Sequence, residues 1–233
     1  EKGTFRDLAE NLKQPQALWY VGMLDGMTAL LRGDFAAGTL HAQQFAALGR
    51  RVNDANAIHS HLAHSALITY ELGDIRGAIP FAQDMASRFP SVFIWRAAVA
   101  WMLALSGDSV SSSNEVRSLV DELPSIPVRM DWSGAIAILG EAASLNRDEH
   151  TARALYQALA PLQNSYVILG ICTLFWGSAA RVLGLLSSCM GDEDQAMRHL
   201  EAGIELDERV GAGPWVAHGQ LALARLLQSR GSE

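Results

Sequence analysis

A glycine followed by aspartate recurs at Gly33-Asp34, Gly73-Asp74, Gly107-Asp108 and Gly191-Asp192, and Arg147-Asp148 stands in the gap between the last two. With Gly231 at the end, positions 33, 73, 107, 147, 191 and 231 lie 34 to 44 residues apart, a degenerate repeat with a period near forty. Each corner has the chemistry of a helical hairpin turn. Glycine adopts the left-handed conformation that ends a helix, and the aspartate after it caps the next one. Upstream of the corners run helical segments 16–32, 55–72, 92–106, 132–145, 174–190 and 214–230; downstream of the first five run 35–51, 75–88, 113–123, 149–159 and 193–210. No stretch alternates strictly with β-branched residues, so the sequence predicts no sheet. The apolar run from Tyr166 to Ala180 reads as a buried core helix, being shorter than the roughly twenty residues of a membrane span.

The register of small residues sharpens the repeat. Gly and Ala together make up 55 of 233 residues, yet the position seven before each corner is always one of them: Gly26, Ala66, Ala100, Gly140, Gly184 and Ala224. Five residues after the corners stand Gly38, Ala78, Ser112, Ala152 and Ala196, all small. Small side chains let the paired helices approach closely. The tetratricopeptide pattern places small residues at these two positions, and the unit from Leu183 to Gly203 resembles it in register, with Glu208 where the usual terminal proline would stand. The expected fold is all-α: a tetratricopeptide-like right-handed superhelix of about five and a half hairpins, spanning 1–233 as one domain. A short leading helix near 4–13 precedes it and a capping helix, 214–230, closes it. Pro124 and Pro127 mark a connector within 123–127, and Ser111-Ser112-Ser113 suggests a weakly formed helix.

A formal charge of −7, with no basic cluster beyond Arg50-Arg51, argues against direct nucleic-acid binding. Cys172 and Cys189 read as buried thiols in a reducing cytoplasm. The opening Glu1-Lys2-Gly3-Thr4 resembles neither an initiator methionine nor a signal peptide, so a piece of a longer protein is expected.

The segment Gly177-Ser178-Ala179-Ala180-Arg181-Val182-Leu183-Gly184-Leu185-Leu186 resembles one near the C-terminus of large bacterial signalling ATPases. So do Arg198-His199-Leu200-Glu201-Ala202 and Gly211-Ala212-Gly213-Pro214-Trp215-Val216-Ala217, although Gly213 stands where an arginine is frequent. Phe5-Arg6-Asp7-Leu8-Ala9 and Trp19-Tyr20 resemble the start of the same region. Those proteins join an AAA/STAND-type ATPase module to a helical-repeat region, often with a nucleotide cyclase or LuxR-type DNA-binding domain. The resemblance implies a cytoplasmic regulatory domain in signal transduction or transcription regulation. Such a domain senses an effector or partner and restrains an attached output. This chain holds no Gly-x-x-x-x-Gly-Lys-Ser/Thr loop, so ATP hydrolysis is not assigned to it.

Candidate binding residues follow from residue type. First helices line the concave surface of such an array, and Trp19, Trp95, Trp101, Trp132 and Trp176 all fall on predicted first helices. Trp95 and Trp101 are six apart, so at least one belongs to the core. Ligand or partner contacts are expected at Trp19, Tyr20, His61, His64, Arg96, Trp132 and Arg181. His61 and His64 share a helix face that His59 does not, and the set lacks the spacing of a zinc protease motif, so no metal is expected. Asp131, Glu141, Ser178 and Arg181 can converge only through the fold, and no catalytic site or cofactor is expected. The leading expectation is a non-catalytic interaction domain binding a protein partner or an attached ATPase or output domain, away from any membrane. A small-molecule effector bound between repeats is the alternative, and a helical metal-dependent enzyme stands third.

Overall fold

The computed structural model describes residues 2–125 and 131–231, and among them it is all-α apart from one short hairpin. The helices are α1 (Lys2–Leu12), α2 (Pro15–Arg32), α3 (Phe35–Arg51), α4 (Ala55–Glu71), α5 (Ile79–Arg88), α6 (Phe93–Ser106), α7 (Ser109–Glu122), α8 (Trp132–Asn146), α9 (Glu149–Leu159), α10 (Ala179–Cys189), α11 (Glu193–Arg209) and α12 (Gly213–Arg230). No helix among the described residues is long and apolar enough to cross a membrane.

The corners fold as their chemistry demands. Gly33, Gly73, Gly107 and Gly191 have φ between 78° and 91°, and Arg147 takes the same left-handed turn at φ 55°. At each, the N–H of the corner residue and of the following aspartate donates back to carbonyls three and five residues earlier, as in Gly33 to Leu30 (3.0 Å) and Asp34 to Ala29 (2.9 Å). At four corners the aspartate side chain then accepts from the first turn of the next helix: Ala37 N–H to Asp34, Ser111 to Asp108, Thr151 to Asp148 and Gln195 to Asp192. After Asp74 the expected helix 75–88 opens instead as a 3-10 turn, Ile75–Ala78, ahead of α5. The same backbone turn recurs between hairpins, at Asn53-Asp54 and Gly211-Ala212. Gly231 differs, closing α12 at φ −80°.

Small residues seven before the corner sit where side chains of neighbouring helices arrive. A Cβ on Gly140 would lie 2.9 Å from Val182, and one on Gly184 2.6 Å from Leu200. Ala100 is fully buried, Ala66 half-buried, and Ala224 exposed on the final helix. The serine-rich start of α7 is regular helix, with Ser112 Oγ donating to the Ala100 carbonyl at 2.7 Å. The predicted connector begins as a 3-10 turn, Leu123–Ser125; Ile126 and Pro127 lie outside the described residues.

Two expectations are corrected. Tyr166 to Ala180 is not a core helix: it forms β1 (Tyr166–Leu169) and β2 (Leu174–Ser178), a two-stranded sheet, before α10 begins. Gly177, at φ 82°, and Gly170, at φ 58°, supply backbone that a continuous helix cannot accommodate. Cys172 is exposed in that hairpin, also left-handed at φ 62°, whereas Cys189 is partly buried; both are free thiols.

The chain forms two compact units, residues 1–74 with 171–175, and residues 75–170 with 176–233. In the first, α2 packs on α3, α3 on α4, and α2 on α4 around Trp19, Met23, Phe45 and Ala57. In the second, α6 through α12 pack each on the next in order, β1 packs on α8, and α6, α8, α10 and α12 make a further series of contacts in which each meets the next. Packing of this kind, pair upon pair, buries a continuous core through local contacts.

Candidate functional site

The second unit buries an ion pair among three indoles. Glu141 stands six residues before the corner at Arg147, and Trp101 holds the same place before Gly107. Successive repeats bring the two together, and Trp101 Nε1 donates to Glu141 Oε2 at 3.2 Å. Trp176 Nε1, from β2, donates to Oε1 at 2.9 Å, and Arg181 Nη2, from α10, donates to the same oxygen at 2.5 Å. Glu141 is 7% exposed and Arg181 3%. A carboxylate so far from water needs this set of donors, since a buried charge without partners costs several kcal/mol. The guanidinium carbon lies 5.0 Å from the Trp215 ring centroid, a cation–π contact, while Trp101 meets Trp176 edge-on at 5.1 Å.

Beside the pair lies a second carboxyl. Ser178 caps α10, its Oγ accepting from Arg181 N–H, and the hydroxyl proton is shared between Asp207 Oδ2 at 3.0 Å and the Gly203 carbonyl at 3.2 Å. Burial pushes Asp207 up to about 6, against the opposing pull of Arg181 and Ser178. Asp207 Oδ1 and Arg181 Nε make no hydrogen bond. Ser178 is therefore occupied as a helix cap between a carboxyl and a carbonyl, with none of the geometry of an activated nucleophile.

The histidines belong to the first unit. His64 is fully buried, its Nε2 donating to the Thr173 carbonyl at 2.7 Å, and Phe45 packs edge-on against it at 5.1 Å. Burial drives its pKa down to about 4, with His61 and His41 adding to the effect, so the ring is neutral. Half-buried His61 and His59 are lowered by the same cause. Trp19 is fully buried; it donates Nε1 to Asp54 Oδ2 at 3.3 Å and stacks on Tyr20 at 3.8 Å. Among the described residues no three His, Cys, Asp or Glu side chains gather as metal ligands.

The remaining expected residues are engaged elsewhere in the second unit. Arg96 bonds to Glu115 at 2.7 Å, to both oxygens of Glu122 at 2.9 and 3.0 Å, and to Ser118 at 3.2 Å, fastening α6 to α7. Trp132 opens α8 and is partly exposed, whereas both Trp95 and Trp101 are buried. Asp131 does not join Glu141, Ser178 and Arg181; it accepts from the Gly170 N–H at 2.9 Å. Trp19, Tyr20, His61 and His64 thus gather in the first unit, while Arg96, Trp132 and Arg181 lie in the second.

Two features escaped residue-type reasoning. Thr173 is the partner of His64, and its sequence context of apolar residues gave no sign of it. An open groove lined by Arg153, Tyr156, Gln195 and Arg230 is the other; Tyr156 Oη lies 3.0 Å from His199 Nε2, and Arg230 pairs with Glu193 at 3.0 Å and Asp194 at 2.9 Å. Its signal was the acidic run 192–194, legible as a helix start but not as the mate of a distant arginine.

Compared with known proteins, the chain matches no family model and no curated protein.

Proposed function

We propose that this chain is a non-catalytic interaction and sensor repeat domain of a bacterial signal-transduction ATPase or transcriptional regulator. It works in the cytoplasm and binds a partner domain or effector on the concave face of a right-handed superhelix. The observation that carries the reading is the order of packing: α2 meets α4 in the first unit, and α6, α8, α10 and α12 meet in series in the second. Within each unit, first helices aligned in this way offer a surface to a partner. The conspicuous polar groups fit a scaffold as well. Arg96, Glu141 and Arg181 are bonded to neighbours within the fold, and His64 is held neutral.

The test is titration of the full chain against the STAND-type ATPase module that this reading places in the same protein, read by co-elution and by the module's nucleotide turnover. Association with a change in turnover supports the reading; neither association nor change defeats it. A small-molecule receptor is the second reading, favoured by the unpartnered Asp207 Oδ1 and Arg181 Nε. The grooves at 153–157 with 190–195 and at 14–16 with 52–56 are open rather than enclosed, which favours a macromolecular partner.

A further inference from the structure

Residues 171–175 belong to the first unit, although the chain on both sides of them belongs to the second. Thr173 anchors this tip. Its carbonyl accepts from His64 Nε2 at 2.7 Å, its Oγ1 donates to Met23 Sδ at 3.7 Å, and Ser60 Oγ lies 3.2 Å from the same hydroxyl. With the Thr173 proton given to sulfur, Ser60 is the donor in that last bond. Met23 and His64 are fully buried and Ser60 is 3% exposed. Leu174 and Phe175 follow into the interior, while Ile171 and Cys172 stay exposed.

We propose that α2 and α4 form a recognition slot for a short extended peptide, a hydroxyl residue followed by an apolar and an aromatic one, and that residues 171–175 are its resident occupant. The proposal rests on the interaction-scaffold reading and supplies its site and the chemistry of its partner. Three observations support it. The central contact is made to a main-chain carbonyl, which any extended peptide presents, and side-chain specificity comes from Ser60 and Met23. The slot is shaped around a neutral imidazole. Since Nε2 carries the proton, Nδ1 bears the lone pair, and that atom has no partner. It faces Gly26, where a Cβ would lie 3.0 Å from Nδ1 and 2.8 Å from Cε1, so only glycine leaves the ring its place. Finally, Cys172, in the turn between the paired strands β1 and β2, takes φ 62°, which a Cβ disfavours, and an extended peptide carries no such cost.

The experiment uses a fluorescent peptide of residues 170–177, serine replacing the cysteine, titrated by anisotropy into the full chain. A Thr173→Gly, Phe175→Ser variant loosens the resident tip and is expected to bind the peptide at least about tenfold more tightly than the wild type, a difference of about 1.4 kcal/mol. Adding His64→Ala is expected to remove that gain. A loosened variant that keeps the wild-type helical circular dichroism and binds no better than wild type overturns the slot. Should that variant not fold, the unaltered chain decides. Excess peptide must speed amide exchange at 173–175 while leaving 179–189 unchanged, and no change at 173–175 overturns the proposal. Failure of the slot is distinct from failure of the scaffold: an ATPase module that binds wild type and His64→Ala equally sinks the slot and spares the scaffold. A wild-type dimer exchanging tips between copies overturns the slot as a site for another protein.

Discussion

The two units bury polar groups in opposite styles. In the second, Glu141 and Arg181 form a buried ion pair, and the carboxylate collects Trp101, Trp176 and the guanidinium as donors from three separate elements. In the first, the buried group is a neutral imidazole with one hydrogen bond, and that bond goes to a backbone carbonyl of a five-residue tip. A buried charge tolerates no vacancy among its partners, whereas a neutral donor accepts any carbonyl. The ion pair locks its surroundings; the imidazole holds something replaceable.

The largest expected effect tests that contrast directly. Glu141→Ala removes the carboxylate that Arg181 and two indole N–H groups share in the core, and should cost about 3–5 kcal/mol in urea denaturation. Adding Arg181→Met should recover much of the loss, because an apolar replacement of the whole pair is far milder than removal of one half. His64→Ala leaves only the Thr173 carbonyl and a cavity, and should cost about 1–3 kcal/mol. Equal costs for the two single variants would erase the distinction between the units.

Next in size is pH dependence, where the two groups carry opposite signs. His64 has a folded pKa depressed to about 4 from an ordinary 6.5. Between those values the unfolded chain binds the extra proton, so the contribution of His64 is complete above pH 6.5 and is lost as pH falls towards 4. Asp207 is raised from 3.8 to about 6, so here the folded chain holds the extra proton. Its contribution is complete below pH 3.8 and is lost as pH rises through 6. Shifts of this size limit each effect to about 3 kcal/mol. Amide exchange from pH 4 to 7, comparing wild type with His64→Gln and with Asp207→Asn, should give difference slopes of opposite sign. Slopes of the same sign would refute the assignment.

Two smaller substitutions probe how tightly the helices are joined. At Gly203 an added Cβ would meet Arg181 N at 2.8 Å and Cα at 3.0 Å, backbone that cannot swing aside, so Gly203→Ala should lower stability by about 2 kcal/mol. Arg147 is the corner that uses a side chain in a left-handed turn. Arg147→Gly relieves that turn and should raise the thermal midpoint slightly, by no more than about 1 kcal/mol in stability. A loss at Arg147→Gly would mean that the arginine side chain contributes more than its backbone costs.

The corners were legible because a left-handed helix end demands glycine and a capping aspartate follows it. Arg147 was found by spacing alone, against its residue type. The hairpin was not legible. An apolar run of fifteen residues such as 166–180 suits a buried helix and a pair of short buried strands equally, and periodicity does not separate them. Half of the ion-pair site was within reach: aligning the repeats on their corners sets Trp101 and Glu141 at one position in consecutive units. Arg181 stands ten residues before its corner, and the hairpin ahead of it breaks the phase that spacing would need. The His64 contact was further away still, since a backbone carbonyl leaves no trace in the side-chain alphabet.

The divided membership of the tip bears on the order in which the protein is made. Residues 1–74 leave the ribosome about a hundred residues ahead of the five that complete their unit. Until then Met23, Ser60 and His64 stand without Thr173, so a unit whose helices are made earlier is finished later. A nascent chain stalled before residue 171 presents the unit open, at the stage of synthesis when newly made domains begin to fold.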